Sequence, residues 1–167
     1  NERLSRRLFR EVARTAKGSL NVATYRRAID DAVDQEDFIG YEEVSDYASD
    51  IEEVVDSLAD LLKKGHAAEV VELAEHGLAR VERAMESVDD SDGYLGGILE
   101  RLQELHLAGC RKARPDPEAL ARRLFEVEIQ GEYGVFFGAA DTYAGVLGEK
   151  GLAEYRRLAE TEWAKVK

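Results

Sequence analysis

The sequence predicts an all-α domain of stacked antiparallel helical hairpins, an α-α superhelix of about eight helices, and three observations carry that expectation. Apolar residues recur at helical rather than alternating spacing along most of the 167 residues. Only two prolines, Pro115 and Pro117, interrupt the chain. Two long amphipathic stretches, Val44 to Lys64 and His66 to Val88, are joined by the single glycine Gly65, a connection so short that the second must fold back on the first.

The elements follow in order. Residues 3 to 16 set Leu4, Leu8, Val12 and Ala16 four apart, which makes one apolar stripe and leaves the arginines elsewhere. Gly18 then supplies a stop and Ser19 an N-cap, and Val22, Tyr25, Ala28, Ile29 and Ala32 continue at helical spacing to about Gln35, closing a first hairpin over 1–36. The link Asp37-Phe38-Ile39-Gly40-Tyr41 is apolar for a loop and is expected to lie on the bundle. In the stretch from 44 to 64, Val44, Tyr47, Ile51, Val55, Leu58 and Leu62 share one face. From 66 to 88, Val70, Leu73, Ala74, Gly77, Leu78 and Val81 repeat the pattern, with Glu69, Glu72, Glu75, Glu82 and Glu86 facing outward, so 41–88 forms the long central hairpin.

Asp89-Asp90-Ser91-Asp92-Gly93 breaks the chain, with Ser91 or Asp92 as the next N-cap, before Leu95, Ile98, Leu99, Leu102, Leu105 and His106 resume the period. Asp116-Pro117-Glu118 reads as N-cap, N1 and N2 of a following helix, with the proline where its missing N–H costs nothing, which makes 94–131 a third hairpin. Residues 135 to 147 and 152 to 165, separated by Gly148-Glu149-Lys150-Gly151, give two closing helices in a hairpin over 135–166. The whole is one helical-repeat domain, 1–167, read as a piece of a longer protein because it starts at Asn1 rather than Met.

Charge and composition narrow the function. The net charge is −12. Residues 1 to 27 hold eight cationic and two acidic side chains, a net of +6, which leaves −18 for the other 140 residues. An acidic body of that strength repels phosphate backbones, so direct nucleic-acid binding by the body is disfavoured. The basic start reads as a solvated helix face. One cysteine, Cys110, excludes an internal disulfide framework and a cysteine-built zinc site, and no stretch is apolar enough for a signal-peptide core or a membrane span. A cytoplasmic location and no membrane association are the expectation.

No motif carries named chemistry. Aligning Gly93 with the glycine of a calcium loop puts Val88 and Leu99 where carboxylates are needed, so the Asp89 to Gly93 segment is a turn. His106 and Cys110 stand one helical turn apart, suitable for two ligands of one metal, but a third is lacking, and His66 and His76 face different directions. Because His106 extends the line of Leu99, Leu102 and Leu105, it is expected as a partly buried, hydrogen-bonded histidine beside a buried structural thiol. A helix interior is also a poor place for a cysteine nucleophile. Lys63, Leu73 and Gln103 stand three before the histidines, so the Glu-x-x-His pattern of di-iron bundles is absent. No catalytic, cofactor-binding or metal residue is assigned, and no cofactor is expected.

The aromatic residues Tyr133, Phe136, Phe137 and Tyr143 crowd one region, and Tyr41 and Tyr47 mark the start of the first long helix. In a helical stack such rings fill the core or line a groove, and tyrosines, having a polar end, belong at the groove edge. With the acidic pair Glu100 and Glu104, the candidate partner-binding residues are Tyr47, Glu100, Glu104, Tyr133 and Tyr143.

Leu58-Ala59-x-x-Leu62-x-x-Gly65-x-Ala67 and Tyr143-Ala144-x-x-Leu147-x-x-x-Gly151-x-Ala153 are similar to the large, small, large and turn-glycine pattern of tetratricopeptide repeats, with the spacing slipped by one. The runs Gly65 to Glu75, Val88 to Gly93, Leu102 to Cys110, Ala113 to Pro117 and Gly151 to Trp163 resemble an uncharacterised bacterial family over about residues 38–165. That resemblance implies a tetratricopeptide-like helical domain at the C-terminal end of longer proteins, some with an upstream SWIM-type zinc finger, and it implies no activity. The resulting expectation is a non-enzymatic scaffold that binds a protein or peptide of basic or amphipathic character. The alternative is an assembly or regulatory domain of a nucleic-acid-related protein whose DNA-contacting module lies upstream. A hydrolase with His106 in its site is the enzyme alternative.

Overall fold

The structure is a computed structural model, and it describes residues 20–166. Among these, seven α-helices follow one another: α1 Val22–Val33, α2 Val44–Lys63, α3 Ala67–Ala84, α4 Tyr94–Ala113, α5 Pro117–Gln130, α6 Ala139–Thr142 and α7 Ala144–Val166, with a 3-10 turn at Met85–Ser87. No strand occurs among the described residues, so the class is all-α. The helix expected over 3 to 16, its Gly18 stop and the Ser19 cap lie outside the described residues.

Local chemistry explains the boundaries. Asn21 caps α1 by accepting the Thr24 N–H at 3.3 Å. At the end of α2, Gly65 takes φ +91°, and the chain closes with His66 N–H on Leu61 O at 3.0 Å and Gly65 N–H on Leu62 O at 3.2 Å. This is the paired-bond glycine stop that turns α3 back at once. The start of α4 differs from the expected Ser91 or Asp92 cap. Asp90 instead reaches forward, its two carboxylate oxygens accepting Leu95 N–H at 2.7 Å and Gly96 N–H at 3.1 Å, because Gly93 at φ +77° bends the chain over it. Asp116 caps α5 as expected, accepting Ala119 N–H at 2.9 Å with Pro117 in the first turn.

Two expectations need correction. Residues 135 to 147 do not form one helix: Gly134, Phe136 and Gly138 all have positive φ, so the segment is a turn followed by the four-residue α6. The break expected at 148 to 151 is present at Gly148, whose φ of 61° and ψ of −166° are non-helical and separate two helical stretches within Ala144–Val166. In the 37–41 link only Ile39 lies against the core; it pairs with Val88 through Ile39 N–H to Ser87 O at 2.9 Å and Asp89 N–H to Ile39 O at 2.8 Å, while Phe38 and Tyr41 stay exposed.

Packing follows a pattern that changes once. Helix α1 packs on α2 and α3, α2 on α3 and α4, and α3 most closely on α4. The closeness of α3 and α4 comes from two glycines. A Cβ on Gly109 would lie 2.9 Å from Val71 Cγ2 and 3.2 Å from the Ala67 carbonyl, and one on Gly77 would lie 3.3 Å from Leu102 Cδ1. After Pro115 and Pro117 the rule changes: α5 packs chiefly on α7 rather than back along α4, so 94–131 is not a tight hairpin. The core runs through both parts, with Leu58, Leu73, Leu95, Leu102, Leu120 and Leu147 fully buried. Each such side chain contributes roughly 1.5–3 kcal/mol. Among the described residues no helix is long and apolar enough to cross a membrane.

Candidate functional site

Helix α4 is the backbone of the site, and its period divides its residues between two faces. His106 and Cys110 lie inward, wholly buried, while Glu100 and Glu104 lie outward. Against the outer face stands the turn between α5 and α6. There Phe136, at φ +61°, is the residue that strains the backbone, and Gly138, at φ +73°, supplies the next left-handed step. Two side chains hold this turn. Gln103 Oε1 accepts Phe136 N–H at 2.9 Å, and Glu128 Oε1 accepts Gly138 N–H at 3.2 Å.

The result is an alternation of rings. Phe136 points inward, 4% exposed, and Phe137 points out, 83% exposed. Phe137 borders a cleft of about 160 Å³ together with Glu100, Glu104, Leu107, Thr142 and Tyr143. That volume accommodates one side chain.

Beneath the cleft runs a buried polar chain. His106 Nδ1 lies 2.7 Å from Tyr143 Oη, and His106 Nε2 lies 3.2 Å from Glu75 Oε2. Glu75 Oε1 in turn accepts from Arg123 Nε at 2.8 Å. Tyr143 O–H is placed to donate to Nδ1 and Nε2–H to the carboxylate, so every group is used. The ring of His106 also contacts Phe136, with centroids 4.9 Å apart, and Tyr143, with centroids 5.6 Å apart. Three helices and the 135–138 turn are thereby tied to one imidazole.

The electrostatics of this cluster oppose catalysis by its thiol. Burial, reinforced by the Glu75 charge, pushes the Cys110 thiol up to about 12, which keeps it protonated at neutral pH. Burial likewise raises the Tyr143 hydroxyl, with the Glu75 charge adding to it. For Glu75, burial acts upward, but the His106 hydrogen bond, the positive side of His106 and the Arg123 guanidinium outweigh it and hold the carboxyl below its usual range. The connectivity Tyr143–His106–Glu75 has the order of a hydroxyl, base and carboxylate triad. Its hydroxyl residue is 2% exposed and its base is fully buried. Among the described residues no group of three or more His, Cys, Asp or Glu side chains converges as a metal site.

The five residues expected to bind a partner separate in the structure. Glu100, Glu104 and Tyr143 come together at one cleft. Tyr143 is corrected from groove edge to core, because its hydroxyl is taken by His106. Tyr133 lines a different recess of about 400 Å³, next to Glu82 and Val127. Tyr47 lies on α2, where its hydroxyl donates to the Val33 carbonyl at the end of α1, and burial pushes it up to about 12. It ties α2 to α1.

Glu75 is the residue missed by a reading that faced it to solvent. Its signal is present in the spacing: Val71, Glu75, Leu78 and Glu82 fall at i, i+4, i+7 and i+11, which places both glutamates on the edge of the apolar stripe. Glu82 is drawn in too; burial raises it, the Tyr133 backbone N–H lowers it, and Glu132 raises it further. The family model for a family of unknown function, DUF6880, matches residues 1–167. The chain belongs to that family. Neither a curated protein nor a solved structure matches it.

Proposed function

We propose that this DUF6880 chain is a non-enzymatic scaffold whose α4 cleft receives a basic, amphipathic segment of another protein. The observation that carries the reading is Phe137. A large apolar side chain 83% exposed is held in place by a strained residue on one side, a left-handed glycine on the other and two side-chain hydrogen bonds to the turn. A non-glycine residue in the left-handed region costs on the order of 1–3 kcal/mol, which the contacts around Phe136 offset. Beside the ring, Glu100 and Glu104 add negative charge one helical turn apart, which suits a cationic group flanking an apolar anchor. The buried His106 supports the display from below, by contacting the Phe136 ring and bonding Tyr143. Inaccessibility of His106 and Cys110 supports a binding rather than a chemical role.

The test is titration of isotope-labelled protein with a leucine- and lysine-rich amphipathic helical peptide, followed by amide chemical shifts. The amides of Glu100, Glu104, Phe137 and Thr142 are expected to move, and Phe137→Ala to weaken binding by about tenfold or more. Shifts that map away from α4, or a Phe137→Ala variant that binds as tightly as the parent, would sink the reading.

A further inference from the structure

A second surface lies at another part of the molecule, where the Ile39–Val88 pairing sets the 36–43 link beside the 87–94 turn. Three of the large exposed rings lie on these two segments: Phe38 is 62% exposed, Tyr41 57% and Tyr94 41%. The Asp92 carboxylate raises the Tyr41 hydroxyl above its usual range, with Tyr94 and Asp89 acting on it as well, so both tyrosines lie near the 89–92 turn. Charge is one-sided. Residues 34–43 and 84–94 together contain nine acidic side chains and no lysine, arginine or histidine. Among the described residues none of these nine makes an ion pair.

Exposed rings and uncompensated carboxylates in one patch specify the partner chemistry. Ring faces attract cations, and the planar guanidinium both stacks on an aromatic face and pairs with a carboxylate through a two-pronged contact. An ammonium is more strongly hydrated and forms the charge contact without the stacking. We infer that Phe38, Tyr41 and Tyr94, with Asp89 and Asp92, form a docking surface for an arginine-rich segment of a partner protein. The surface is separate from the α4 cleft and discriminates arginine from lysine, which charge alone does not do. It shares with the proposed function only the premise that the chain binds proteins.

The experiment measures fluorescence anisotropy of labelled oligoarginine and oligolysine peptides of equal length, titrated with the whole chain at about 0.15 M salt, where long-range attraction is screened. Oligoarginine is expected to bind about fivefold more tightly than oligolysine. The double variant Tyr41→Ala/Tyr94→Ala is expected to bind the two peptides alike, and Tyr41→Phe/Tyr94→Phe, which keeps the rings, to retain the preference. All three positions are exposed, and circular dichroism confirms that the variants fold. Equal binding of the two peptides by the parent chain overturns the inference, as does a preference that survives loss of both rings. A preference lost in Phe137→Ala but kept in the tyrosine double variant also overturns it, since that places arginine binding in the α4 cleft and leaves the proposed function standing.

Discussion

Two buried tyrosines, subjected to the same change, are expected to respond in opposite directions. Tyr143 is 2% exposed, and its hydroxyl sits 2.7 Å from His106 Nδ1. Tyr143→Phe removes that donor and leaves the buried imidazole nitrogen only the weak Cys110 thiol, 3.9 Å away, as a partner. The ring cannot relieve this by exchanging its proton between nitrogens, because Nε2 would then present a lone pair to the Glu75 carboxylate 3.2 Å away. A buried polar group left unsatisfied costs about 1–3 kcal/mol. For a chain of this length that corresponds to roughly 2–12 °C in Tm. Tyr155 is 8% exposed, its hydroxyl oxygen is buried without a hydrogen-bond partner, and its ring meets Phe125 edge-on at 5.4 Å. Tyr155→Phe keeps the ring contact and removes only the unsatisfied group, so stability should stay level or rise by up to about 1 kcal/mol. Thermal melts followed by far-UV circular dichroism measure both. Equal losses in the two variants would refute the reasoning, because ring-packing would then outweigh hydroxyl partnership; an unchanged Tyr143→Phe would show that the His106 bond contributes nothing net.

Other outcomes follow from the same geometry. Gly109→Ala should destabilise by about 1–3 kcal/mol in urea titration, since its methyl meets both Val71 and the Ala67 carbonyl of a helix that has no room to retreat. Glu75 has a lowered carboxyl in the folded state, so its contribution to stability is present above the unfolded value near 4.5 and is lost as pH falls through the folded one. Urea midpoints at neutral pH and below pH 4.5 should therefore differ less in Glu75→Gln than in the parent, and an undiminished difference would count against the role given to Glu75. Cys110, buried and pushed up to about 12, should react with a thiol reagent only after local or global opening, and fast labelling of the native chain would contradict its burial.

The helical class and most turns were legible in the sequence because they depend on neighbours in the chain. Gly65 and Asp116-Pro117 act within a few residues, through hydrogen bonds that the local sequence dictates. The Asp90 cap was one step harder, since Asp90, Ser91 and Asp92 all carry a capping oxygen and only the left-handed Gly93 decides which one reaches the amides. The 135–147 segment misled for a different reason. Its apolar residues suit a helix, but Phe136 is bound by Gln103 of α4, a partner 33 residues away. The site was half legible: Glu100 and Glu104 lie where the helical period places them, while the inward turn of Glu75 depends on His106 and Arg123, on two other helices. Periodicity assigns a residue to a stripe, and only packing decides whether a residue on the edge of that stripe faces in or out.

The change of packing partner at Pro115–Pro117 predicts two units that open separately, although one core joins them. Helices α1 to α4 are each stabilised by near neighbours in the chain, whereas the segment from 117 onward is held to them across its seam by Arg123 on Glu75 and Tyr143 on His106. Detachment of that segment removes the cover from His106 and Cys110 while leaving the first four helices paired. Amide hydrogen exchange should accordingly show two plateaus of protection, the lower one over α5 to α7, and the partial opening between them is the state in which the buried thiol first meets solvent.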